Sequence, residues 1–145
     1  MGLRRKAREL TLQMLFQIDF NRDQREVPIS FWKEHKAPPQ VQAFADLLAE
    51  GVIQHLPEID KIIEKYTERW SPERMAVIDR NILRFSIFEL LYLKEIPPKV
   101  TLNEAIEIAK KYGNEDSGAF VNGILDHVLR DYPKSESSDL KSEAM

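Results

Sequence analysis

The stretch 75–94 constrains this chain more than any other part of it. Val77, Ile78, Ile82, Leu83, Phe85, Ile87, Phe88, Leu90, Leu91 and Tyr92 occupy nearly every side of a helical wheel. A helix that is apolar all round has no face for water, so it belongs at the centre of the fold with other helices around it. The rest of the chain supplies them. Leu3, Ala7, Leu10, Met14 and Ile18 recur at spacings of three and four, which predicts a helix over 3–20 with one buried stripe. The polar stretch 21–27 with Pro28 ends it, and 28–39 reads as a loop or frayed turn closed by Pro38-Pro39. A helix over 40–55 buries Val41, Phe44, Leu47, Leu48 and Val52. A third opens at Pro57 and carries Ile59, Ile62, Ile63 and Tyr66, with Trp70 closing this half.

Ser71-Pro72-Glu73 reads as the start of the central helix, with a capping hydroxyl, a proline and an acid in sequence. Pro97-Pro98 stops that helix. Thr101 and Glu104 have capping-box spacing and open the next one, which Gly113 closes. Asn114 caps the last helix, whose buried face is Phe120, Val121, Ile124, Leu125 and Val128. Beyond Pro133 the chain turns to Ser, Glu, Lys and Asp, so 1–133 reads as one domain and 134–145 as a disordered polar tail. No segment alternates with period two. The expected fold class is all-α, with two helical layers meeting along the central helix.

Composition narrows the function. Hydrophobic residues make up 43% of the 145, enough for a core without staples, and there are no cysteines. A disulfide scaffold, a thiolate metal site and a thiol nucleophile are therefore all excluded, which fits a reducing cytoplasmic setting. No apolar run approaches the roughly 20 residues of a membrane span, and no apolar region follows the basic N-terminus as a signal peptide requires. His35, His55 and His127 lack metal-ligand spacing, and the glycines between 113 and 123 match no phosphate-binding loop. Neither a metal nor a cofactor is expected. A net charge of −3 argues against indiscriminate nucleic-acid binding. The average conceals Arg4, Arg5, Lys6 and Arg8 crowded on the first helical turns, where the helix dipole disfavours cations. Such a cluster reads either as a solvated helix start or as cations kept for a phosphate ligand.

Three stretches together resemble the NusB family of bacterial transcription antitermination factors. They are Arg4-Arg5-Lys6-Ala7-Arg8-Glu9 continuing to Gln17; Ile78-Asp79-Arg80-Asn81-Ile82-Leu83-Arg84 leading to Glu89-Leu90-Leu91; and the run from Pro97 through Asn103-Glu104-Ala105 and Glu115-Asp116-Ser117 to Phe120-Val121-Asn122-Gly123. They stand in the family's order and cover nearly the whole chain up to Tyr132. The resemblance implies a bundle of about seven helices and no enzymatic activity. It also implies binding of box A, a single-stranded RNA element of nascent ribosomal RNA transcripts, together with NusE, a small-subunit ribosomal protein. RNA polymerase and other Nus factors would be indirect partners, and some family members are homodimers.

Carried over residue by residue, the resemblance assigns Arg4, Arg5, Lys6, Arg8, Asp116 and Phe120 to RNA and Phe16, Asp79 and Arg80 to NusE. Each has a plainer alternative. Asp116 serves equally as a first-turn dipole partner, Phe120 as a core residue, and Asp79 and Arg80 as the one wet stripe of an apolar helix. The RNA reading requires the basic turns to lie beside the start of the last helix. Two readings from other classes stand beside it. One is a relative of the N-terminal domain of ribosomal RNA cytosine methyltransferases, which would need a cofactor-binding βαβ unit that these 145 residues lack. The other is a purely structural helical partner protein.

Overall fold

The computed structural model describes residues 2–20, 26–67 and 75–134. Among them are seven helices and no strand: α1 (Gly2–Phe20), α2 (Glu26–Glu34), α3 (Pro39–Gln54), α4 (Leu56–Tyr66), α5 (Val77–Tyr92), α6 (Pro98–Tyr112) and α7 (Ser117–Asp131). The apolar stretch is α5, and it packs against α1, α3, α4, α6 and α7. Ile82, Leu83, Phe85 and Ile87 are wholly buried. Around α5, α1 packs on α3 and α6 on α7, α2 lies against α1, and α4 touches both α3 and α7. The two layers and their central helix follow from a segment with no hydrophilic side to expose.

Several local expectations change. The segment read as a loop contains α2, with Pro28 in its first turn, where a missing N–H costs nothing. Phe31, 1% exposed, anchors that helix in the core, and the Trp32 Nε1 donates to Asp46 Oδ1 of α3 at 2.8 Å. Pro28 is thus a helix opener, and its α1-terminating role falls among residues outside the description. Ser71-Pro72-Glu73 and Trp70 also lie outside the described residues, and α5 itself begins at Val77.

The capping box of Thr101 and Glu104 does not form. Pro98 at the first turn opens α6 three residues earlier, which puts Thr101 inside the helix at 1% exposure. Gly113 does close α6, with its N–H donating to Ala109 O. Asn114 stands ahead of the α7 cap position, which Asp116 occupies. Its Oδ1 accepts the Asp116 N–H at 2.8 Å, a side-chain turn that leads the chain into α7. Lys134, expected as the first residue of the tail, folds back, and its Nζ donates to the Glu89 and Ile96 carbonyls near the end of α5. Residues 135–145 are outside the description.

At Gly51 the backbone of α3 comes so close to α5 that a Cβ would sit 2.1 Å from the buried Phe88 ring. Gly51→Ala is therefore expected to lower unfolding free energy in urea by ~1–3 kcal/mol, the usual cost of overpacking. An unchanged midpoint would show that the ring yields freely.

Candidate nucleic-acid and partner interface

Consecutive side chains on a helix point about 100° apart, so the cations on the first turns of α1 splay. Arg5 turns toward α6, where its Nε and Nη2 donate to the two carboxylate oxygens of Glu104 at 2.6 and 2.5 Å. The pairing holds the Glu104 carboxyl below the usual glutamate range and the Arg5 guanidinium above its own. Arg4 turns toward α3 and lies over the Phe44 ring, 4.7 Å from its centroid. Lys6 is exposed. Among the described residues neither Arg4 nor Lys6 has a carboxylate partner.

Arg8, expected at the RNA surface, lies in the core instead. It is 2% exposed, and its Nε and Nη2 donate to Glu89 at 2.7 and 2.8 Å. Its Nη1 lies 3.5 Å from Glu104. Glu89 is wholly buried and also accepts the Thr101 hydroxyl at 2.9 Å. A carboxylate on an apolar central helix needs a counter-charge, and Arg8 is that charge. Two of the four cations at the positive end of α1 are thus held there by acids of neighbouring helices. The solvent-facing cations are Arg4, the partly exposed Arg5, and Lys6.

Beyond the far end of α6, the start of α7 and the start of α5 enclose a groove of ≈ 530 Å³. Met75, Ala76, Asp79, Asn114, Asp116, Ala119 and Phe120 line it. Asp116 is exposed at the α7 cap position and Phe120 is half-buried, showing part of its ring to the groove. Asp79 is only 6% exposed. Burial pushes its carboxyl above the ordinary aspartate range, against a hydrogen bond from Ser117 that lowers it. Among the described residues its Oδ1 has no hydrogen-bond partner. A buried acceptor left open beside a groove is costly to the fold, and it suits a donor brought by something else.

Phe16 is 40% exposed and meets Phe20, 71% exposed, with ring centroids 4.9 Å apart. Together with Leu12, Gln13, Gln17, Ile78 and Tyr112, Phe16 lines a shallow depression of ≈ 300 Å³. This depression adjoins the Asp79 groove through the neighbouring residues Ile78 and Asp79. Arg80 is not part of either lining. It lies 3.5 Å from Asp19, in a polar network that Asn81, Arg84 and Asp60 continue.

The grouping differs from that expected of the sequence. Asp79 shares its groove with Asp116 and Phe120, so residues assigned to two different partners line one site. The basic turns are not in that groove. Arg5 meets Glu104 and Glu9 meets Lys111 at 3.1 Å, so α1 and α6 run side by side in the same direction. The cations lie beside the first half of α6, and α7 begins past its other end. Glu104 and Tyr112 alone are separated by about 12 Å of helix rise. The basic turns therefore do not lie beside the start of the last helix as expected: the two regions are joined along α6, and a strand that touches both must run its length. The sequence reading gives Glu89, Glu104, Phe44 and Phe20 no role in a site. For Glu89 a signal existed: a lone carboxylate in an apolar helix demands a cation.

The geometry defines an all-α bundle that displays cations and aromatic rings on the outer turns of its helices. A family model described as the NusB family matches residues 5–130. The chain is 46% identical over 140 residues to the transcription antitermination protein NusB of Thermodesulfovibrio yellowstonii, covering 88% of this chain and 92% of that one. It is 47% identical over 133 residues to that of Myxococcus xanthus, covering 88% and 95%. Among solved structures, T. maritima NusB superposes with a TM-score of 0.83 at 40% identity, covering 93% of this chain and 96% of that one. A chain from a structure of antitermination factors NusB and NusE in complex with dsRNA superposes with a TM-score of 0.81 at 30% identity, covering 91% and 99%. The protein belongs to the NusB family, whose named relatives are transcription antitermination proteins.

Two outcomes follow from the buried charges. Arg8→Ala leaves Glu89 unpaired in the core and is expected to cost ~3–5 kcal/mol in denaturant unfolding. The joint change Arg8→Met with Glu89→Leu recovers most of it; no recovery would mean the pair matters for more than its own neutrality. Asp79→Asn removes the penalty of a buried charge. Because the folded-state pKa is raised, that penalty is absent at low pH, grows from about pH 3.9 upward and is complete above the folded value. Asp79→Asn should therefore melt higher than the parent at pH 7 and at the same temperature at pH 3; equal melting at both would remove the penalty.

Proposed function

We propose that the protein is a non-enzymatic RNA-binding adaptor of transcription antitermination, acting in the cytoplasm. It binds a box A single-stranded RNA together with a NusE partner and reaches RNA polymerase through that assembly. The observation that carries the reading is the pairing of two displays on one acidic protein. Arg4 and Lys6 face solvent at one end of α6, without carboxylate partners among the described residues, and Phe120 shows its ring in a groove at the other. Phosphates neutralise the first, and an unpaired base stacks on the second, the usual mode of recognition for single-stranded RNA.

In this reading Arg4, Arg5 and Lys6 contact phosphates, and Arg5 is oriented for it by Glu104. Phe120 takes a base and Asp116 accepts from a base edge. Phe16 and Asp79 face NusE, with the open Asp79 oxygen accepting a donor of that partner. Arg80 has the weakest case, since its neighbours form a network apart from the groove. The relative solved with NusE and dsRNA supports both partners for this chain. Partner and RNA each make modest contacts, and holding both at once raises the affinity of the whole.

Fluorescence anisotropy with a box A oligonucleotide and a scrambled control, each with and without NusE, tests the reading. Preferential binding of box A, strengthened by NusE, is expected; equal binding of both oligonucleotides throughout would overturn it. Removing one phosphate contact changes the log–log salt slope by about 0.7. Arg4→Ala and Lys6→Ala should each show that change. Arg8→Ala should not, once its lost stability is allowed for.

A further inference from the structure

The splay of the first cations gives α1 a second flank that the reading above does not use. On the α3 side, Leu3, Arg4, Gln40, Ala43, Phe44 and Leu47 line a depression of ≈ 440 Å³. Leu3 is 50% and Leu47 45% exposed, so two large apolar side chains stand open at its rim. Its floor is the Phe44 ring, with the Arg4 guanidinium 4.7 Å from the centroid and the buried Arg8 at 5.3 Å. The arrangement combines a flat cationic group, an aromatic ring and apolar walls beside Lys6, which has no carboxylate partner among the described residues. Gln40, on the first turn of α3, adds an exposed amide that both donates and accepts.

We propose that this α1–α3 depression is a second base-binding subsite, taking an unpaired nucleobase of the same RNA strand. The inference rests on the RNA reading and extends its path. From the Phe120 groove the strand follows α6 to Arg5 and Lys6, crosses the first turn of α1, and places one further base against Arg4 and Phe44. The Arg4 guanidinium covers the Phe44 ring, so the base stacks on the outer plane of that guanidinium, which the ring backs and holds flat. Leu3 and Leu47 cover the base's edges, and the Gln40 amide meets its polar rim. Arg4 serves twice, since its charge also faces the adjoining phosphate. A second copy of this chain fits the depression less well. A two-fold contact repeats one patch on both subunits, so it would bring the basic turns of two molecules together. A polyanion neutralises them instead.

The test is an abasic scan of the box A oligonucleotide against the full-length protein, repeated on Phe44→Leu and on Leu47→Glu. Phe44→Leu keeps an apolar side chain but removes the ring. Leu47→Glu changes a side chain already half in solvent and sets a carboxylate in the depression. In the parent protein, an abasic nucleotide near one end of the element is expected to lower affinity about tenfold, the scale of one base–aromatic stack. In both variants the intact oligonucleotide should bind about tenfold more weakly, and the same abasic position should cost nothing further. Penalties that are identical in parent and variants overturn the subsite while leaving the RNA reading intact. Box A binding no better than the scrambled control in the parent sinks that reading itself. A Leu47→Glu protein whose sedimentation shows a lost dimer, with no coupling in the scan, also overturns the proposal and makes the depression a contact between copies.

Discussion

The Arg8–Glu89 pair is the constraint on which the rest of the molecule depends. It joins residues 81 apart in sequence and is closed by Thr101 and approached by Glu104, so it locks α1, α5 and α6 together. An ionised pair so enclosed is stable only with good geometry and its remaining bonding capacity satisfied. Here both guanidinium–carboxylate bonds are short, and the Thr101 hydroxyl completes Glu89. Apolar residues of equal volume would hold the helices as tightly. A charged pair also specifies their register, because a slip of one helix strands two charges in an apolar interior.

That register decides which cations remain for a ligand. With Arg8 pointing inward, helical geometry sends Arg5 toward α6 and Arg4 toward α3. Glu104 then meets two arginines, one on each side of the boundary between core and surface. It orders Arg5 without enclosing it. The exposed cations are few, so on a protein of negative net charge any attraction for an anionic ligand is confined to one place.

The groove at the other end of α6 carries a cost that packing does not explain. Asp79 keeps a carboxylate oxygen open and buried, and no neighbour among the described residues relieves it. Evolution for stability alone would replace it with a neutral side chain. An open buried acceptor at the edge of a groove is a position that a donor from outside the chain could complete. Phe16 and Phe20 beside it are likewise exposed at the expense of the monomer.

The sequence alone determined the architecture. Apolar periodicity located six of the seven helices, and the all-round hydrophobicity of 77–92 placed α5 at the centre, because helix period and burial are local consequences of side-chain order. It missed α2, where Pro28 has the same local look as a helix stop, and only the burial of Phe31 distinguishes an opener. It also carried the family, through motifs spread over the chain. What only the tertiary structure decided was the use of each charge. Arg4, Arg5 and Arg8 are alike in sequence, yet one stacks on a ring, one is ordered at the surface and one is interred. Their difference lies in Phe44, Glu104 and Glu89, which come from three other helices. The energy of an ionised group is set by what surrounds it in space, and spacing along one helix does not record that.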